Sequence, residues 1–148
     1  MNFLFKITFI SVLFICASSL AFSQKNMLAD IPNRDPNDPV YSYVEKMPEL
    51  YGGKETFKMY QDYYPYPTCG LEQKIQGKVV LQFIVELNGT LSDIKVLSSP
   101  DECLSTAAIG YLHTWPKWTP AKVRDKPVSS LFTLPIDYNL ESFNNRPK

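Results

Sequence analysis

The stretch Lys78–Ser99, KVVLQFIVELNGTLSDIKVLSS, decides the fold. In its first half Val79, Leu81, Phe83, Val85 and Leu87 fall at every second position, the period of a β-strand whose successive side chains point to opposite sides. Val80 and Ile84 occupy the other face, so this strand is expected at the centre of its sheet with neither face fully wet. Asn88-Gly89 follows, a pair that tolerates the positive φ angles of a type I′ turn, and Ile94 and Val96 then resume the alternation. The stretch reads as a β-hairpin.

Downstream, Ser99-Pro100-Asp101-Glu102 has the spacing of a capping box with Pro100 at the first helical position, where a missing N–H costs nothing. Leu104, Ala108, Tyr111, Leu112 and Trp115 then form one face of a helix that Pro116 stops. After a long polar connection, Val128, Ser130, Phe132, Leu134, Ile136, Tyr138 and Leu140 share one face of a third strand. Pro135 cannot donate to a ladder, which makes this strand an edge candidate. Residues 141–148 are polar and expected to fray. Upstream, Pro39 to Met47, with Val40, Tyr41, Tyr43 and Val44, is compatible with a short strand. Past the Gly52-Gly53 breakers, Phe57, Tyr60 and Tyr64 recur at helical spacing over Lys54 to Tyr63, and Pro65 and Pro67 close that helix. The result is one α+β domain over residues 40–140.

The chain of 148 residues is 45% hydrophobic and 20% charged, enough apolar content for one buried core. Lys+Arg and Asp+Glu stand at 15 each, so no basic surplus is available to hold a phosphate backbone, and nucleic acid is not expected as a partner. Residues 1–23 carry Lys6, an apolar run from Ile7 to Cys16, and small residues up to Ala21-Phe22-Ser23. That pattern reads as a cleavable signal peptide, with Gln24 as the new N-terminus. Residues 24–39, with Pro32, Pro36 and Pro39, read as a linker. Export places Cys69 and Cys103 where disulfides form; they either pair or remain as two thiols on separate elements.

No catalytic constellation emerges. The single histidine, His113, excludes a site built on two imidazoles, and the three cysteines lack C-x-x-C spacing, so neither a metal nor another cofactor is expected. There is no G-x-S-x-G, P-loop or H-E-x-x-H, and neither a small-molecule substrate nor an enzymatic activity is implied. Tyr60, Tyr63, Tyr64, Tyr66, Trp115 and Trp118 are dense for so short a span. They serve either as core or, in part, as the lining of a peptide groove beside an exposed edge strand.

These residues also carry a resemblance. Val44-Glu45-Lys46-Met47-Pro48-Glu49 with Gly52-Gly53, Tyr66-Pro67, Ile75-Gln76-Gly77-Lys78-Val79 and Phe83-Ile84-Val85 with Asn88-Gly89 recur in one order and spacing with three later pieces. Those are Ser92-Asp93-Ile94-Lys95-Val96, Trp115-Pro116-Lys117-Trp118-Thr119-Pro120-Ala121 and Lys126-Pro127-Val128. Together they resemble the C-terminal domain of TonB-family energy transducers in its Bacteroidetes form. The resemblance implies a three-stranded antiparallel sheet with two helices packed on one face, in the periplasm. It also implies that the last strand grips the TonB box of a TonB-dependent outer-membrane receptor, or a segment of another envelope protein, by β-strand addition. The positions carried over as peptide-binding are Tyr64, Tyr66 and Pro67, with Val128, Ser130, Phe132, Leu134 and Ile136 of the last strand.

The chain departs from a full transducer of that family, which has an uncleaved membrane helix and a long Pro-rich spacer. A lead-in of roughly 16 residues extends at most about 55 Å. The expectation is therefore a stand-alone periplasmic peptide-binding module. The alternative is a minimal energy transducer anchored in the inner membrane by an uncleaved N-terminal segment. A homodimer through a swapped edge strand is a further option.

Overall fold

The computed structural model describes residue 35 and residues 37–146, so the signal peptide expected over residues 1–23 and most of the linker lie outside the described residues. In chain order the elements are β1 (Glu49–Leu50), α1 (Gly53–Asp62), α2 (Thr68–Glu72), β2 (Gly77–Val85), β3 (Leu91–Ser98) and α3 (Glu102–Leu112). They continue with β4 (Trp118–Thr119), β5 (Ala121–Val123), β6 (Lys126–Val128), β7 (Ser130–Tyr138) and α4 (Leu140–Asn144).

The hairpin strand β2 is central, as its two apolar faces require: the main sheet has the order β3-β2-β7, and both pairings are antiparallel. Val79, Leu81, Phe83 and Val85 are fully buried on one face. The β7 register sets Ile136, Leu134, Phe132 and Ser130 opposite them. Helix α3 covers this face with Leu104, Ala108 and Leu112, and α1 adds Phe57 and Tyr60 to the same cluster. Each buried Leu, Val or Phe side chain contributes about 1.5–3 kcal/mol, so this single layer supplies most of the stabilisation. The fold is α+β, a three-stranded antiparallel sheet with two longer helices on one face. Most of the dense aromatic group is core. Trp115 and Trp118 stack at 6.1 Å between centroids, and Phe57 meets both edge-on at 5.8 and 6.0 Å.

The hairpin turn differs from expectation. Asn88 does not take a positive φ; only Gly89 does, at 78°. Gly89 donates its N–H to Glu86 O, and Glu86 and Thr90 pair across the end of the hairpin, giving a three-residue loop closed by a left-handed glycine. The Asn88 side chain is occupied instead in accepting the Thr90 N–H at 2.9 Å. The cap of α3 also shifts. Asp101, not Ser99, is the N-cap, accepting the Cys103 N–H at 2.8 Å, while Ser99 Oγ turns to the Asp101 backbone.

The strand expected over residues 39–47 is reduced to isolated bridges, Tyr41 to Ser130 and Lys46 to Lys122. Those partners lie on different strands, so the segment must bend between them and cannot form a ladder. The strand expected from Val128 to Leu140 is two strands: β6 folds back on β5, and β7 begins after Ser129. The polar connection before it is a β-hairpin whose tip, Arg124-Asp125, holds φ of 51° and 61°. The expected frayed tail instead forms α4, capped by Asn139 accepting the Ser142 N–H at 2.9 Å.

Candidate functional site

The two outer edges of the main sheet are not alike. Along β3 the register with β2 shifts twice, and Asp93 sits at φ 48°, so its outer edge is bulged and poorly suited to extension. Strand β7 pairs with β2 without interruption over its full length. It is the regular edge.

In an antiparallel strand, residues alternate between bonding the partner and pointing their N–H and C=O outward. The Leu131 N–H leaves the sheet to reach Tyr41 O at 3.0 Å, which fixes the phase. Leu131, Thr133, Pro135 and Asp137 are therefore the outward residues, and Pro135 is tolerated because its absent N–H would have faced away from β2. Of their outward groups, the Leu131 N–H is taken by Tyr41, and Asp137 O accepts a hydrogen bond from Tyr64 Oη. The remainder is a row of backbone groups: Leu131 C=O, both groups of Thr133, Pro135 C=O and the Asp137 N–H.

The expected contact residues divide differently. Ser130, Leu134 and Ile136 are buried on the core face, and Phe132 is half-buried there, with the backbone groups of all four directed at β2. Val128 belongs to β6. The outward set was readable from the same alternation, because it comprises the residues between the apolar ones.

Tyr64, Tyr66 and Pro67 lie at the Asp137 end of this edge. Tyr64 and Tyr66 are buried and meet the Tyr138 ring at 4.8 and 5.3 Å. Tyr66 Oη donates to Ile75 O at 2.5 Å, and burial, followed by the neighbouring Tyr64, pushes its phenol pKa up. Pro67 is the extended N-cap residue that starts α2. Arg146 closes the corner: its guanidinium lies 4.3 Å over the Tyr64 ring and donates to Tyr64 O at 2.6 Å. Tyr64 and Arg146 wall a groove of about 520 Å³ with Asp62, Lys78, Pro135 and Asp137, and Tyr66 and Pro67 lie outside its lining. Toward the other end of β7, a smaller apolar recess of about 220 Å³ is lined by Met47, Leu50, Phe57, Trp118 and Phe132.

Tyr138 stands behind both tyrosines, fully buried, and its hydroxyl has no hydrogen-bond partner among the described residues. Burial is the main cause of its raised pKa, with Tyr64 second. Leaving a buried hydroxyl unpaired costs about 1–3 kcal/mol. Tyr138→Phe is therefore expected to leave the thermal midpoint unchanged or raise it, and a lowered midpoint in a melt would mean that the hydroxyl has a partner.

Cys69 is bonded to Cys103, and His113 is exposed at the C-terminus of α3. Among the described residues no group of three or more His, Cys, Asp or Glu side chains could hold a metal ion. No helix among them is long and apolar enough to cross a membrane. A family model described as Gram-negative bacterial TonB protein C-terminal matches residues 62–140, more than half of the chain. No curated protein matches it.

Proposed function

Because the chain belongs to the Gram-negative bacterial TonB protein C-terminal family, we propose that it is an exported periplasmic module that captures an extended segment of an envelope protein by adding it to the outer edge of β7. The family ties the chain to TonB-dependent transport in the cell envelope. The preferred partner is the N-terminal TonB box of an outer-membrane receptor. One observation carries this reading: the regular, outward-facing backbone of Leu131 to Asp137, which an extended peptide could continue. The groove at Tyr64 and Arg146 and the apolar recess at Phe132 flank that row, so side chains of the added strand have surfaces to meet at both ends.

The test is an NMR titration of the mature chain with synthetic TonB-box peptides from the same organism's receptors. Saturable shifts are expected along Leu131 to Asp137 and around Tyr64 to Pro67. Thr133→Pro removes an outward N–H without touching the β2 ladder, as Pro135 already does two residues on. It is expected to weaken binding about tenfold or more, from one lost bond and one stranded carbonyl, while the protein stays folded. Unchanged affinity in a folded Thr133→Pro protein would rule out strand addition at this edge.

A further inference from the structure

The β7 edge already has an occupant drawn from the chain itself. Tyr41 donates its N–H to Ser129 O at 2.9 Å and accepts the Leu131 N–H at 3.0 Å, a parallel bridge at the position where an added strand would begin. Immediately afterwards the chain bends away through Ser42 and Tyr43, and the Tyr43 side chain is 87% exposed. It is recaptured at Lys46, which exchanges backbone bonds with Lys122 at 3.1 and 2.9 Å, while Glu45 Oε2 accepts the Arg124 N–H at 3.0 Å. Tyr41 is thus held on its C-terminal side by the β5–β6 hairpin. Ser129 is fixed in turn, because its hydroxyl donates at 2.8 Å to Glu86, a carboxylate that also accepts from Ser92 and is buried at the turn end of the β2–β3 hairpin. The bridge is built into the fold at both of its sides.

The opposite end of the edge is closed in a different way, since Tyr64 Oη holds Asp137 O. Between these stops the outward groups run from Leu131 C=O to the Asp137 N–H, a span of about 20 Å at the rise of an antiparallel strand. This span holds an incoming segment of about seven residues.

Resting on the strand-addition reading above, we propose that Tyr41 is a specificity-determining stop, which sets where an incoming segment begins to pair and how long that segment can be. Its hold is two backbone bonds, each of modest net strength, so the stop limits pairing without tying up the rest of the edge. A segment longer than the window gains nothing from its extra residues unless it displaces Tyr41.

The experiment compares the full mature chain with its Tyr41→Pro variant, which lacks the N–H that reaches Ser129. The probes are nested synthetic peptides of about five to nine residues spanning a receptor TonB box, extended at either end to cover the expected window. In the wild type, affinity is expected to stop rising near about seven residues, with the Leu131 amide protected from hydrogen exchange before and after binding. In Tyr41→Pro the Leu131 amide is expected to exchange about tenfold faster, and the longest peptide to bind about threefold or more tighter than it binds the wild type.

Equal length dependence in the two proteins, with shifts along Thr133 to Asp137, would overturn the stop and leave strand addition standing. Absence of binding by every peptide to both proteins would overturn both. A wild-type Leu131 amide that exchanges as fast as that of Thr133 would overturn the stop without recourse to any variant.

Discussion

Gly89→Ala is expected to destabilise the domain by more than about 3 kcal/mol, or to prevent folding, through two effects that add at one atom. Gly89 sits at φ 78°, where a side chain costs about 1–2 kcal/mol of backbone strain. A Cβ at this position would also lie 2.1 Å from Trp118 O and 3.2 Å from Trp118 C, backbone atoms that no rotamer change can remove. The close approach is what closes the turn: Gly89 O accepts the Trp118 N–H at 2.9 Å. Trp118 cannot retreat, since it pairs with Leu50 in the small β1–β4 sheet and stacks on Trp115 inside the core. Gly53 provides the control, having nearly the same φ, 76°, and no atom of the described residues within 4 Å of its Cβ position. Gly53→Ala is expected to cost only the strain, about 1–2 kcal/mol. Urea midpoints for the two variants separate the effects, and equal losses would show that the Trp118 backbone yields.

The same turn marks how far the sequence could be read. Alternation from Val79 to Leu87 and the glycine after Asn88 identify a hairpin, because both signals are local. The loop type depends on the distant Trp118 amide that holds Gly89 O, and nothing within residues 78–99 announces that contact. Helices α1 and α3 were legible for the same reason as the hairpin, each carrying an apolar face over several turns. The break at Ser129 was not, because Val128 and Ser130 keep the parity of the strand that follows, so alternation passes through the break unchanged. The β5–β6 hairpin was hidden by its tip, where Arg124 and Asp125 hold a left-handed conformation usually announced by glycine or asparagine. At the site, Pro135 marked the β7 edge, and of the positions taken over from the family resemblance, Ser130, Phe132, Leu134 and Ile136 are those whose backbone faces β2. The outward residues Leu131, Thr133 and Asp137 follow from the opposite parity. Tyr41 was out of reach, since its role rests on two backbone bonds and involves no side-chain chemistry.

Helix α2 escaped the sequence reading altogether, and it is where the second large effect is expected. Its five residues are too few to be stable alone, and no side chain caps its N-terminus. The disulfide from Cys69 in α2 to Cys103 in the first turn of α3 holds it, across 6.4 Å between α-carbons and a sequence separation of 34. Packing supports the junction, because Gly70 lies so close to Tyr66 and Leu104 that an added Cβ would come within 2.9 and 3.0 Å of their side chains. Freeing a loop of that length returns about 3–4 kcal/mol of chain entropy to the unfolded state. Cys103→Ser is therefore expected to lower the thermal midpoint by roughly 10 °C or more. Reductant should do the same to the wild type and add nothing to the variant. The loss should also reach the β7 edge, since Pro67 starts α2, and Tyr66 packs against Tyr138 at the end of β7. Hydrogen exchange in the variant should accelerate first over residues 66–75, before the β2–β7 ladder responds. Uniform acceleration across the sheet would mean that the disulfide stabilises the domain as a single cooperative unit, with no separable role in positioning the Tyr-Pro segment. A midpoint that does not move would mean that the packing of Tyr66 and Leu104 around Gly70 suffices to hold α2, and that the chain does not depend on an oxidising compartment to fold.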